Sequence, residues 1–318
     1  MKKRLCAALV LSLAAASFPA WGKAAMPQEE FLTHCATGKL SEVSKGVRRK
    51  ADVDLVEPSG LSPLLCAARE QDDPRVIEYL ISKGAQVNKT NSQGLSPLMM
   101  AAMSNPRVKI AQALLNRGAD PRQADLTGST AALLAARHSR SEAVLSALLA
   151  AAPDTLERAS STGQTPLMAS AQNERPEMAK LLLSRGADPG RIDNDGRTAL
   201  SYAAGNKNTA VLRLFLDLPG AKINQGDERG MSPLMYAIRA NNAEAVKLLL
   251  DRGANVNTRS RDGFSAAEMG RNKPDLAHFF PAPKKSQTRY TAPRRTVSRS
   301  SSTAKSTPKK TSSRRRRK

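Results

Sequence analysis

Between Asn91 and Asp120 the pattern of apolar and polar residues is that of two short helices set between two turns. Gly94 allows a tight turn with positive φ, and Ser96-Pro97 supplies a cap followed by proline, where a first helical turn needs no N–H donor. Met99, Met100, Ala101 and Ala102 continue the first helix with apolar, mostly small side chains. Asn105-Pro106 predicts a second cap and helix start. Val108, Ile110, Ala111, Leu114 and Leu115 then form an apolar face at helical spacing, and Gly118 ends it.

Close variants of this unit fill most of the chain. The Ser or Thr before the first helix recurs as Ser62, Ser96, Thr130, Thr165, Thr198, Ser232 and Ser265, at intervals of 34, 34, 35, 33, 34 and 33 residues. Gly60, Gly94, Gly128, Gly163, Gly196, Gly230 and Gly263 keep step, as do Gly-Ala pairs from Gly84, Gly118, Gly186, Gly220 and Gly253. A constant period of this size predicts an array of stacked units, each too small to bury its own apolar face. With 40% hydrophobic but only 3% aromatic residues, the core is built from Leu, Ala, Met and Val. Inner-helix alanines allow close helix contact, and outer-helix pairs such as Leu114-Leu115 and Leu182-Leu183 fill the space between layers.

The unit resembles the ankyrin repeat. The resemblance is carried by SPLLCAA from Ser62, SPLMMAA from Ser96, TPLMASA from Thr165, TALSYAA from Thr198 and SPLMYAI from Ser232. SKGAQVN ending at Asn88, NRGAD at Asp120, SRGAD at Asp188 and DRGANVN at Asn257 match the later half. It implies an all-α solenoid of helix-turn-helix units with β-turn tips over 27–280. A degenerate first repeat spans 27–57, repeats start near 58, 91, 125, 160, 193 and 227, and a partial last one starts at 260. The family's His after Pro-Leu is absent throughout, so its turn-to-helix hydrogen bonds must come from the Ser/Thr or be missing. The unit from Thr130 has Ala131 for Pro and Ala152-Pro153 for Gly-Ala, which predicts an irregular second turn.

The two ends differ from the array. Lys2-Lys3-Arg4, an apolar run from Leu5 to Ala16 and small residues around Ala20 and Gly22 have the layout of a cleaved secretory signal over 1–22, with cutting after Ala24 or Ala25 as alternatives. The run is too short to span a bilayer comfortably. After cleavage two cysteines remain, Cys35 and Cys66. The register puts them on inner helices of adjacent units, where axes about 8–10 Å apart exceed the Cα separation of about 7 Å that a disulfide tolerates, so buried thiols are expected.

Net charge is +22, and 14 of the Lys and Arg residues lie after Phe280 with no Asp or Glu among them. Without that tail and the three leading cations, 33 basic residues face 28 acidic ones. The tail, 281–318, is rich in Ser, Thr and Pro and is expected to be disordered, with Lys309, Lys310, Arg314, Arg315, Arg316, Arg317 and Lys318 as polyanion contacts. Anionic membrane lipids or lipopolysaccharide are its expected ligands in an exported bacterial protein. Nucleic acid is less favoured, because Tyr290 is its sole aromatic.

Catalytic patterns are absent from the sequence: no Gly-x-Ser-x-Gly, no phosphate loop, no His-Glu-x-x-His and no Cys pair at zinc spacing. His34, His138 and His278 fall in separate units. Asp193, Asp195, Asp227, Glu228 and Asp262 suit tight turns better than calcium. No enzyme activity, cofactor or metal is expected. What the resemblance implies is a protein partner held on turn tips and on the concave face of the inner helices, by a monomer. By register the tips include Ser92, Gln93, Leu95, Leu126, Thr127, Asn194, Arg229 and Met231. The groove includes Met103, Ser104, Arg137, His138, Gln172, Asn173, Asn206 and Arg239. Leu95, Leu126, Met103 and Met231 are candidate apolar anchors. The signal points to the periplasm; the alternative is a secreted effector that binds a host protein and uses its basic tail as a nuclear address or nucleic-acid contact.

Overall fold

The structure, a computed structural model, describes residues 26–58 and 60–281. The expected signal segment and the tail beyond Pro281, with its seven named cations, lie outside the described residues. Helices come in pairs. An inner and an outer helix form each layer: α1 Gln28–Thr37 with α2 Leu40–Arg48, α3 Pro63–Glu70 with α4 Pro74–Ser82, α5 Pro97–Ser104 with α6 Val108–Asn116, and α7 Ala131–His138 with α8 Glu142–Ala151. Then follow α9 Pro166–Ser170 with α10 Pro176–Ser184, α11 Ala199–Ala204 with α12 Thr209–Leu216, α13 Pro233–Arg239 with α14 Ala243–Asp251, and finally α15 Ala266–Arg271. Each inner helix packs on the next inner helix and each outer helix on the next outer one, which makes the expected all-α solenoid. Among the described residues the only β pairing is two isolated bridges, Ala124 with Thr130 and Arg259 with Ser265.

The sequence period becomes structure through a few repeated bonds. Every Ser or Thr of the 34-residue register caps its inner helix. Ser62, Ser96, Thr130, Thr165, Thr198, Ser232 and Ser265 each accept from the backbone N–H three residues on, and each bond is worth about 1 kcal/mol. Inner helices are enclosed almost all round: Leu64, Leu65, Ala67 and Ala68 in α3, and Leu98, Met99, Ala101 and Ala102 in α5, are buried. Outer helices bury one face at i, i+1 and i+4. Val76, Ile77 and Leu80, then Ile110, Ala111 and Leu114, then Met178, Ala179 and Leu182 repeat that spacing. Of each leucine pair the first is fully buried, whereas Leu115 and Leu183 only pack against the core's margin.

The turns also hold to one another. Leu126 N–H donates to Gln93 O, Ser161 to Thr127, Asn194 to Thr162, Glu228 to Asp195 and Arg261 to Arg229, a backbone ladder running tip to tip. Such close approach explains the tip glycine. Gly128 has φ 76°, and a Cβ there would lie 2.8 Å from Ser161 N.

Asn105 does not cap an outer helix, contrary to the sequence expectation. Helix α6 starts at Val108 with Arg107 before it and no side-chain cap. Asn105 instead ends α5, and its Nδ2 donates to Ala68 O and Gln71 O of the preceding layer while Oδ1 accepts from Arg107 N. Gln71 does the same to Cys35 O and Gly38 O. These amides satisfy carbonyls that a helix C-terminus leaves open, so the amide position is spent on stacking.

The irregular second turn after α8 is present: Ala152 is buried and Pro153–Leu156 form a 3-10 turn. At the N-terminal end Phe31, Cys35 and Val43 close the core. At the other end a 3-10 turn, Ala277–Phe279, stands where an outer helix would be, with Leu276 and Phe280 buried and the Phe280 ring lying on Gly270. Cys35 and Cys66 are buried and no disulfide joins them; burial, with Cys66 nearby, pushes the Cys35 thiol up.

Candidate functional site

The concave face is made by the C-terminal ends of inner helices and by the tips. Its side chains project because the caps and amide bonds fix where each inner helix starts and stops. Ser92, Gln93, Ser104, Thr127, His138, Gln172, Asn194, Arg229 and Arg239 are exposed there, and Leu126 is 77% exposed, the largest value among the exposed apolar residues. Arg137 is half-buried at the groove wall.

Five of the expected binding residues have other duties. Met231 is only 8% exposed and belongs to the core, because the tip residue after the glycine folds back under its own turn. Leu95 and Met103 are half-buried and pack against the core rather than standing free as anchors. Asn173 donates to Ala136 O and Ser139 O, and Asn206 to Ala171 O and Asn173 O, repeating the stacking bond of Asn105. A register of amides at Gln71, Asn105, Asn173 and Asn206 was the sequence signal for this role.

The structure brings together a group that the sequence reading passed over. Tyr202 Oη donates to Asp193 Oδ2 at 2.5 Å, and one repeat later Tyr236 Oη donates to Asp227 Oδ2. Each Asp also accepts two backbone N–H groups of its own turn: Asp195 and Arg197 at Asp193, Arg229 and Met231 at Asp227. The tyrosines thus supply, one position later, the turn-to-helix link left vacant by the missing His. The nine-residue Asp-to-Tyr spacing, present twice at the repeat period, was legible. Asp193 and Asp227 are turn residues with their oxygens engaged, and among the described residues no group of acids, His and Cys gathers to hold a metal.

Arginines interleave with the tyrosines. Arg197 Nε donates to Tyr236 Oη at 2.8 Å and its Nη2 lies 3.0 Å from Asp195 Oδ2, while Arg239 lies over the Tyr236 ring, 5.0 Å from its centroid. Burial works against the Arg197 charge, but the bonds to Tyr236 and Tyr202 outweigh it and raise its pKa further. Burial and the Asp193 hydrogen bond push the Tyr202 phenol up to about 12. Burial, helped by the charge of Arg137, pulls His138 below its ordinary value. Arg137 is itself drawn down by burial and donates to Gln164 Oε1. Nothing in this arrangement activates a nucleophile or poises an acid; it presents charge and hydrogen-bond donors along a rigid trough.

Known proteins place the chain. Its sequence matches the family model described as ankyrin repeats (3 copies) over 32–125, 107–193 and 185–260. No curated protein matches it. Among solved structures it is similar to the human ASB11 ankyrin repeat domain, with 26% identity and a TM-score of 0.60 over 70% of this chain and all of that one. Ankyrin repeats are scaffolds for protein–protein interaction. On the family match, the shared fold and the repeated caps, tips and amide bonds, the chain belongs to the ankyrin-repeat family.

Proposed function

We propose that the array holds a protein partner on its concave face and exposed tips, in the periplasm of a bacterium, with the basic tail giving loose attachment to polyanions of the envelope. The observation that carries the first part is the division of labour in the groove. Caps, alanines and amides are spent on stacking, whereas Leu126, His138, Gln172 and Arg239 are exposed. Exposed apolar and Arg side chains on a preformed surface are what protein recognition uses. Location rests on the signal-like first 22 residues, and the tether on the run of cations after Phe280. Near an anionic membrane each such residue contributes about 1 kcal/mol.

Affinity capture from envelope extract tests the surface. Wild type is compared with a Leu126→Ser, His138→Ala, Arg239→Ala variant, all three positions being exposed; capture that is the same with both would remove this face from the function. Fractionation tests location: mature protein in the periplasm supports the reading, and mature protein in culture medium favours the secreted alternative. Deleting residues after Phe280 should abolish low-salt retention on anionic vesicles, and equal retention with and without the tail would end the tether idea.

A further inference from the structure

The groove between Arg137 and Arg239 has more hydrogen-bond donors and positive charge than its own acceptors absorb. Its carboxylates are already matched. Asp193 is taken by Tyr202 and two N–H groups, Asp227 by Tyr236 and two N–H groups, and Asp195 by Arg197. No Asp or Glu lines the depression itself; Glu174, in the loop after α9, and Glu228, on a tip, are exposed acids outside it. The donors are not matched. Arg239 and Lys207 are exposed and form no ion pair among the described residues. Arg137 Nε and Gln164 Nε2 are buried with no hydrogen-bond partner, and Gln164 is only 4% exposed.

These groups form one continuous feature. Tyr202 bonds Asp193 in the same turn as Arg197, Arg197 bonds Tyr236, and Arg239 stacks on Tyr236, while Arg137 bonds Gln164 two repeats earlier in the stack. Gln172, Tyr202, Lys207, Tyr236 and Arg239 line a single open depression of about 410 Å³. Tyr236 is 7% exposed and flanked by Arg197 and Arg239, at 5.7 and 5.0 Å from its centroid, so its ring offers no free platform for a nucleic-acid base.

We propose that this groove receives an extended, acidic segment of the protein partner, with carboxylates on Arg239 and Lys207. The inference rests on the array being a partner-binding scaffold and adds the chemistry of what is bound. Arginine's planar fork suits carboxylates, and a partly desolvated wall strengthens each pair.

Three probes added to the full chain at about 150 mM salt, where exposed charges beyond about 8 Å are screened, test this. One is a Glu/Ser decapeptide carrying a photocrosslinker, one its Gln/Ser counterpart, and one an oligothymidylate of similar length with the same crosslinker. Crosslinks are mapped by mass spectrometry, which separates the groove from the basic tail. The acidic peptide should mark the stretch around Gln172, Tyr202 to Lys207 and Tyr236 to Arg239. A Lys207→Gln, Arg239→Gln variant, altered only at exposed positions and checked by circular dichroism, should weaken that binding about tenfold, or 1.4 kcal/mol. Crosslinks confined to residues beyond Pro281 overturn the inference. Equal groove marking by the Gln peptide, or preferred groove marking by oligothymidylate, overturns it too. The scaffold reading is judged apart from these: if the acidic peptide misses the groove while capture still depends on Leu126, His138 and Arg239, the inference fails and the partner surface stands.

Discussion

Replacing Gly128 and Gly186 by alanine, one at a time, separates two roles that a repeat glycine plays. Both have positive φ, 76° and 89°, so alanine is strained at either site by about 1–2 kcal/mol. Alanine also restricts the unfolded chain, which returns about 0.4–1 kcal/mol. At Gly186 nothing lies within 4 Å of an added Cβ, and the net loss is about 0.5–1 kcal/mol. At Gly128 the Cβ would sit 2.8 Å from Ser161 N and 3.3 Å from Ser160 C, both backbone atoms that cannot rotate away. The next tip must move. That strains the Ser161 N–H to Thr127 O bond of 2.9 Å and the Ser161 Oγ bond of 2.7 Å to the same carbonyl. At about 1 kcal/mol each these bring the expected loss at Gly128 to about 2–3 kcal/mol. Urea denaturation gives the totals, and native-state hydrogen exchange should show faster exchange at Ser161 in Gly128→Ala alone. Equal losses for the two variants, or unchanged exchange at Ser161, would refute the view that tips are held by close backbone contact.

Other outcomes follow from the same structure. Asn105→Ala removes three hydrogen bonds, two of which join layers, and should cost about 2–3 kcal/mol by denaturation; a loss below about 0.5 kcal/mol would mean the amide does not tie the repeats. Met231→Ala, in the core, should cost about 2–4 kcal/mol, while Leu126→Ala at 77% exposure should stay within about 0.5 kcal/mol. The reverse order in a thermal melt would restore Met231 as a surface anchor. Tyr202 should release its proton near 12 when folded, against 10.0 for an ordinary phenol. The folded state holds this proton more tightly, so the associated stability is intact below pH 10 and is lost as pH rises from 10 to 12. Absorbance near the tyrosinate band should show late-titrating phenols, Tyr236 being raised as well, and Asp193→Ala should move the Tyr202 component earlier while leaving the part that burial causes; a late component unmoved by Asp193→Ala would count against the pairing.

The period, the caps, the turn glycines and the apolar faces of the outer helices were all determined by the sequence itself. They depend on local chemistry: a hydroxyl reaches an N–H three residues on, a glycine accepts positive φ, and helical spacing puts Val76, Ile77 and Leu80 on one side. Even the irregular turn at Ala152-Pro153 was visible as a lost glycine. Tertiary structure decided which residues of the concave face remain to bind. Asn173 and Asn206 look free in sequence because the carbonyls they serve lie 33 to 37 residues earlier, reachable only once layers stack. Met231 and Leu126 occupy similar polar-looking turns, yet one turns under its own loop and the other into solvent. The run of Arg137, Tyr202, Arg197, Tyr236 and Arg239 spans four repeats, and its unmatched donors emerge only when every neighbouring carboxylate has been assigned a partner in space. Local bonding is written into short windows of the chain, whereas the balance of charge on a surface belongs to residues that meet only in the assembled stack.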